Sequence, residues 1–427
     1  MKNSKVYPWV VVGLLWVVAL LNYMDRQMLS TMQSAMQVDI AELGKAENFG
    51  RLMGIFLLIY GFLSPFAGAI ADRINRKWLL VGSLFVWSAV TYAMGYATTY
   101  NQLYWLRAFM GVSEALYMPA ALALISDYHT NKTRSLAIGI HMTGLYTGQA
   151  LGGFGATIAE QFSWQSTFHV FGIIGIVYSV ILVMFLHEKA DRPGKQIVPA
   201  YVNEPKQKKE SVWRSFGLLF STFSFWILLF YFLAPSLPGW ATKNWLPTLF
   251  SENLGIPMGK AGPIATISIS VASLIGILIG GPLSDKWVMK NIRGRMYTSA
   301  IGMGLMIPSL LLLGFGHTYA GLITAALLFG IGYGMADTNN MPILCQIIPA
   351  KYRGTAYGIM NMVGVFGGYF ITLLLGSSTD EGNLGSDFSK LGLIVLVAVV
   401  FMIAFLKPKK KYTYTSEEQA NVQAEQK

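Results

Sequence analysis

Residues 68–77 read Gly68-Ala69-Ile70-Ala71-Asp72-Arg73-Ile74-Asn75-Arg76-Lys77. Far downstream the chain reads Gly281-Pro282-Leu283-Ser284-Asp285-Lys286, with Arg293 and Arg295 further on. In both places a glycine, an aspartate four positions later and a basic cluster follow a long apolar run. The first copy follows the second such run and the other copy follows the eighth, so the pattern returns six runs later. A six-segment unit that occurs twice is the sequence trace of a parallel repeat, with a substrate site expected between the halves.

Working outward from these two loops, apolar runs of spanning length recur near 8–29, 50–71, 78–98, 102–126, 135–158, 167–187, 219–250, 261–284, 296–315, 319–345, 354–376 and 388–407. They predict an all-α membrane protein with twelve transmembrane helices in two pseudo-symmetric six-helix bundles, residues 1–188 and 215–407. A polar loop, 189–214, joins the bundles, and a polar tail, 408–427, is expected to be disordered.

Composition agrees. Of 427 residues 54% are hydrophobic and only 12% charged, about half the charged share of a soluble domain. The 44 glycines and 21 methionines suit helices packed closely within a bilayer. The single Cys345 excludes internal disulfides and cysteine-based metal sites. The first run, Tyr7 to Leu29, is too long for a signal peptide's apolar region and lacks a small-residue cleavage site, so it is expected to stay as a span.

Lysine and arginine placement orients the chain. With both termini on the inner side, the outer loops hold only Lys45, Arg51, Lys260 and Lys390, and Arg26, Arg107 and Lys243 fall within spans. The rest of the 32 basic residues lie on inner segments. The net charge of +11 therefore belongs to a cytoplasmic face that meets anionic lipid, and nucleic acid is not an expected partner.

The stretch Trp105-Leu106-Arg107-Ala108-Phe109-Met110-Gly111-Val112-Ser113-Glu114-Ala115 sets two charges in a run otherwise built for lipid. Seven positions are two helical turns, so Arg107 and Glu114 share one face about 10 Å apart along the axis. Each charge at that depth costs roughly 2.5–3.5 kcal/mol on insertion scales. A second pair, Asp25-Arg26, sits near the end of the first run. Four ionisable groups at membrane depth call for a partner, a solvated cavity or a ligand, and they are read as the floor of a transport site. Arg107 presents a fork of donors suited to a carboxylate, or forms an internal ion pair with Glu114 or Asp25. Arg26 is either a second clamp or the balance of Asp25. Glu114 is the preferred proton carrier and Asp25 the alternative, because a substrate reaching or leaving Arg107 shifts the proton affinity of a neighbouring carboxylate.

The loop 68–77 resembles the signature G-x-L-x-D-R-x-G-R-[KR] of the major facilitator superfamily. Gly68, Asp72, Arg73, Arg76 and Lys77 match, and Ile70 and Asn75 depart from it. Gly68 would permit close helix approach, and Asp72 would accept bonds from neighbouring arginines, making a latch that breaks between states; Asp285 is its counterpart in the second half. Within that superfamily the chain resembles the anion:cation symporters, which include sugar-acid permeases. Tyr23-Met24-Asp25-Arg26, Arg107 with Glu114-Ala115, Pro119, Tyr60, Trp245-Leu246-Pro247, Asn340 and Asn361 occupy matching places. The resemblance implies an arginine that pairs with a substrate carboxylate and acidic residues that carry protons. Tyr23, Tyr60, Asn340 and Asn361 would then contact hydroxyls. The same charged positions also resemble Spinster-like transporters, in Asn22-Tyr23-Met24-Asp25-Arg26 and Asp72-Arg73-Ile74-Asn75-Arg76-Lys77. That resemblance implies lipid export instead.

Lys243 lies in the seventh run amid Pro235, Pro238, Gly239 and Pro247, residues expected to break the helix and permit gating bends. It either offers anions a positive way in or snorkels to the interface. Asp337 and Asn340 in the tenth run stand between a site role and a structural one. His141 is followed by Gly144, Gly148, Gly152 and Gly153, whose four-residue spacing most simply lets helices approach. These glycines resemble the antiporter motif G-x3-G-P-x2-G-G, with Gln149 in place of its proline. No H-E-x-x-H, G-x-S-x-G or P-loop is present, so no enzyme, cofactor or metal is expected. The sequence thus predicts a monomeric, multi-pass carrier of the cell (inner) membrane that imports a small organic anion, such as a hexuronate or another sugar acid, with protons. The alternatives are a Spinster-like (lyso)lipid exporter and a transport-fold sensor.

Overall fold

The computed structural model describes residues 6–129, 133–188, 217–409 and 413. The inter-bundle loop 189–214 and almost all of the tail lie outside the described residues. Among those described, regular structure is helical throughout.

The first half runs α1 (Tyr7–Leu29), α2 (Gln33–Met36), α3 (Ala46–Arg73), α4 (Arg76–Met94), α5 (Tyr100–Ala115), α6 (Tyr117–Tyr128), α7 (Arg134–Gly152), α8 (Gly155–Gln161) and α9 (Trp164–Phe185). The second runs α10 (Phe223–Leu254), α11 (Met258–Lys290), α12 (Gly294–Phe315), α13 (Tyr319–Asp337), α14 (Asn340–Ile347), α15 (Arg353–Asp380) and α16 (Leu384–Phe405). Four helix starts are capped by N-cap side chains. Thr99 and Gln102 form a capping box on α5, while Asn75, Ser163 and Thr318 accept N–H groups at the starts of α4, α9 and α13.

Eleven helical segments among the described residues are long and apolar enough to cross a membrane, one fewer than the sequence predicted. The missing one is 135–158. It folds as α7 and α8, interrupted at Gly153 and Phe154, and its His141, Gln149, threonines and glycines dilute its hydropathy. Outward faces are apolar, as lipid requires: Val170, Ile173, Ile174, Val177 and Val180 of α9 are all exposed.

By contact, the chain divides into two compact units. The first comprises Met1–Tyr201, Trp240–Ser270 and Gly368–Leu384; the second comprises Val202–Gly239, Val271–Gly367 and Gly385–Lys427.

Inside the first unit α1 and α7 pack most intimately, and the glycines explain why. A Cβ added at Gly144 would stand 2.6 Å from the Trp16 carbonyl oxygen, one at Gly148 2.9 Å from the Leu20 carbonyl carbon, and one at Gly152 2.8 Å from the Met24 carbonyl oxygen. The four-residue step along α7 thus meets a four-residue step along α1, as the spacing predicted.

Two expectations need correction. The prolines do not break the seventh span, because α10 is continuous from Phe223 to Leu254. Gly68 serves no close approach, since a Cβ there would meet nothing within 4 Å.

Candidate functional site

The site grows from the crossing of α1, α3 and α5. Gly111, midway between Arg107 and Glu114, lets α5 lie on the backbone of α3: its missing Cβ would stand 2.9 Å from the Phe56 carbonyl oxygen and 3.1 Å from Ile59 Cβ. That approach brings the Phe56 ring up between the charged residues. Below them α5 ends at Ala115, and α6 begins at Tyr117 with Pro119 as its third residue. Pro119 has no N–H for the Ala115 carbonyl four positions back, so the helix breaks after Ala115, one residue past Glu114.

Glu114 is fully buried and accepts from Arg26 Nε at 2.5 Å. Arg26 therefore balances Glu114 rather than its sequence neighbour Asp25. Three aromatic rings surround its guanidinium, with Cζ 5.0 Å from the Tyr23 centroid, 4.7 Å from Phe56 and 5.0 Å from Tyr60. Such contacts stabilise a desolvated cation by about 0.5–2 kcal/mol each. Phe56 is shared, because Arg107 Cζ lies 4.9 Å from the same centroid, and Tyr60 stacks on Phe56 at 5.8 Å.

Arg107 is differently placed. It is 3% exposed, donates to Met110 Sδ at 3.0 Å, and makes no ion pair among the described residues. Its Nε has no hydrogen-bond partner, and neither do Arg26 Nη2, Glu114 Oε1 or the side-chain polar atoms of fully buried Asn22. Buried polar atoms normally find partners, so this concentration marks a place suited to a polar guest. Asp25 is buried and, among the described residues, accepts only from Thr91 Oγ1, at 3.4 Å. An arginine without a carboxylate beside a carboxylate already matched is an arrangement that can receive an anion.

Of the other predicted residues, Tyr23 and Tyr60 join the site through Arg26. Lys243 is half-buried, with its Nζ 4.7 Å from the Trp240 ring centroid. Asn340 and Asn361 belong to the second unit; Asn340 donates to Asp337 Oδ1 at 3.0 Å. His141 is buried behind the site, its Nε2 3.4 Å from Tyr117 Oη, which donates to the Leu15 carbonyl.

In the 68–77 loop, Arg76 is buried and paired with Asp127 at the end of α6, a partner the motif does not name. Asn75, where the signature has glycine, caps α4 by accepting from Trp78 N–H at 3.2 Å. Arg73 is exposed at the end of α3, and the Asp72 side chain lies outside what the structure describes. In the second half Asp285 accepts from Arg295 at 3.1 Å.

Sequence reasoning missed Phe56, Gly111, Asp127 and one repeat signal. Glu114-Ala115-Leu116-Tyr117-Met118-Pro119 has a counterpart in Asp337-Thr338-Asn339-Asn340-Met341-Pro342. The first helix ends one residue past its acid and the second at its acid, and in both the proline is the third residue of the next helix, α6 or α14.

Comparison with known proteins agrees with this architecture. Residues 15–372 match the Major Facilitator Superfamily. The chain is similar to the hexuronate transporter of Bacillus subtilis (strain 168), 24% identical and covering 93% of this chain and 94% of that one. It is similar to the D-galactonate transporter of an Escherichia coli strain (25%; 93% and 95%) and to the gallate transporter of Pseudomonas putida (26%; 93% and 92%). Its fold matches the crystal structure of a bacterial homolog to the human lysosomal transporter Spinster, with a TM-score of 0.78 at 18% identity over 97% of this chain and 100% of that one.

Proposed function

Because the chain belongs to the Major Facilitator Superfamily, whose matched relatives carry organic acids, we propose that it is a proton-coupled symporter of a small organic anion. A hexuronate, aldonate or similar sugar acid is the substrate class. The observation that carries this reading is the inequality of the two arginines. Arg26 is matched by Glu114, whereas Arg107, more deeply buried, has no carboxylate paired with it among the described residues. A substrate carboxylate supplies what Arg107 lacks, and its planar fork favours two-point binding.

On this reading Arg107 anchors the anion and Arg26 is the hinge of the charge balance. When the anion arrives, the fixed positive charge around Glu114 is partly neutralised, and the carboxylates Glu114 and Asp25 become better seats for a proton. That reciprocity is the physical content of coupling. Tyr23 and Tyr60 offer hydroxyls beside Arg26, Asn340 and Asn361 contribute from the second half, and Lys243 draws anions in. The two repeats, 1–188 and 215–407, alternate around the site, with Asp72, Arg73, Arg76 and Asp285 in the latches. The carrier works as a monomer in the lipid of the cell (inner) membrane, with both termini in the cytoplasm.

The test is uptake by proteoliposomes. Sugar-acid accumulation should follow an inward proton gradient and collapse when the gradient is dissipated; uptake indifferent to the gradient removes the coupling. The fold likeness to the Spinster homolog motivates one competing arm, transport of a lysolipid in the same vesicles. Lysolipid movement without sugar-acid uptake would replace this reading.

A further inference from the structure

Gln27 follows Arg26 on α1 and is buried. Its Nε2 donates to the backbone carbonyl of Lys243 at 2.8 Å and to Ser30 Oγ at 2.7 Å, and Ser30 Oγ donates back to the Gln27 carbonyl at 2.7 Å. The choice of carbonyl is not arbitrary. Lys243 stands four residues before Pro247 inside continuous α10. A helical carbonyl takes the N–H four positions on, and proline has none. Pro247 therefore leaves the Lys243 carbonyl without its donor, and an amide from a different helix takes the place. α10 runs on unbroken here, where the sequence predicted a break.

The surroundings hold that amide in one orientation. Gly152 of α7 gives it room, since a Cβ there would stand 2.6 Å from Gln27 Cβ. Beside it, a Cβ at Gly153 would lie 2.8 Å from the Gly262 carbonyl oxygen of α11, and one at Gly262 3.1 Å from Cγ2 of Thr31, just beyond the end of α1. All these groups belong to the first unit, in which Trp240–Ser270 packs with the N-terminal helices.

We propose that Gln27 is a positioning residue of the transport cycle. Its amide ties α1, the helix that carries Asp25 and Arg26, to α10 through the carbonyl that Pro247 frees. The bond belongs to one of the two arrangements that alternating access requires. With α1 and α10 together Gln27 donates to this carbonyl; with them apart that bond is lost and water takes its place. Gln27 thus weights the equilibrium toward the joined arrangement. This use of the bond rests on the transport reading, whereas the bond's chemistry does not.

The experiment measures the joined and parted populations without substrate. Spin labels at Asn101→Cys and Glu381→Cys, on Cys345→Ala protein in lipid nanodiscs, report the spacing at this end by double electron–electron resonance. Gln27→Leu should lower the joined-to-parted ratio about fivefold, the scale of one net neutral hydrogen bond. Gln27→Glu, of equal size but unable to donate as a carboxylate, should behave alike. Pro247→Ala restores a backbone N–H to the Lys243 carbonyl, so the double variant Gln27→Leu/Pro247→Ala should return to within about twofold of the parent ratio. Unchanged distances in Gln27→Leu, or an equal shift with and without Pro247→Ala, would overturn the proposal. Should Gln27→Leu fail to fold, recovery of folded protein in the double variant supports it, and lack of recovery overturns it. Distances that move as expected in a protein showing no sugar-acid uptake would fault the substrate assignment and leave this inference standing.

Discussion

Arg107 and Glu114 lie two turns apart on one helix and make no ion pair, because Glu114 turns instead to Arg26 on α1 at 2.5 Å. The separation is geometric. Seven residues place the two about 10 Å apart along α5, while the backbone approach at Gly111 brings Phe56 close to both arginines. One arginine is thereby matched and the other held ready.

The two arginines should accordingly fail in different ways. Arg107→Ala removes the proposed anchor and little of the fold's internal pairing. Apparent affinity for the transported anion should weaken on the order of thirtyfold or more, the usual loss when one side of a buried charged contact is cut. Arg107→Lys keeps the charge but not the fork, and should recover only part of the loss. Concentration dependence of uptake in proteoliposomes checks both.

Arg26→Ala instead leaves Glu114 buried with no partner. The expected effect is on stability, about 3 kcal/mol or more, read as a lower thermal midpoint in detergent. The double variant Arg26→Ala/Glu114→Gln should regain much of that loss, since no lone charge remains.

Glu114→Gln keeps the size of the side chain and an oxygen for Arg26 but removes the exchangeable proton. In the parent, anion uptake should rise as external pH falls against a constant interior. In Glu114→Gln that dependence should flatten, while exchange of labelled for unlabelled substrate continues. Loss of exchange together with uptake would assign Glu114 to binding rather than to coupling.

What sequence alone made legible follows from contrast. Arg107, Glu114, Asp25 and Arg26 stand out because charges in apolar runs are rare and costly. Phe56 could not stand out, as one more aromatic residue in an apolar span. The pairing of Arg26 with Glu114 was also hidden, because adjacent residues on a helix point about 100° apart and Asp25 and Arg26 face different neighbours. Prolines gave an ambiguous signal. Pro119 follows a helix end, at Ala115, whereas Pro247 lies inside continuous α10, where Gln27 donates to the freed carbonyl. No local rule tells these apart, since the deciding donor is some 216 residues away in sequence. Gly68 shows the converse: a match to a family motif does not by itself reveal which contact the residue makes in this chain.

The glycine spacing on α7 supports a sharper test of packing. Gly148→Val should overpack the α1 contact and cost about 1–3 kcal/mol, because the first added carbon already stands 2.9 Å from the Leu20 carbonyl carbon. Gly139→Ala, on the same helix with nothing within 4 Å of its new Cβ, should leave stability unchanged or slightly raised. Thermal melts followed by fluorescence-detected size exclusion separate the two. Equal behaviour would mean that α7 does not depend on its close approach to α1.

Asp380 tests whether the end of α15 is fastened by charge or by shape. It is the last residue of α15, and its two carboxylate oxygens accept the Ala46 and Glu47 N–H groups at 2.8 and 2.9 Å, capping the start of α3 from a distant part of the sequence. Gly376, one turn earlier, permits the approach, since a Cβ there would lie 2.8 Å from the Ala46 carbonyl oxygen. Helix starts leave N–H groups unsatisfied and carry partial positive charge, so the carboxylate both bonds them and complements the dipole. Asp380→Ala should therefore cost about 1–2 kcal/mol of thermal stability. Asp380→Asn keeps one accepting oxygen without the charge and should fall between parent and alanine. If asparagine matches the parent, the fastening is a hydrogen bond alone; if it matches alanine, the charge is what holds α3.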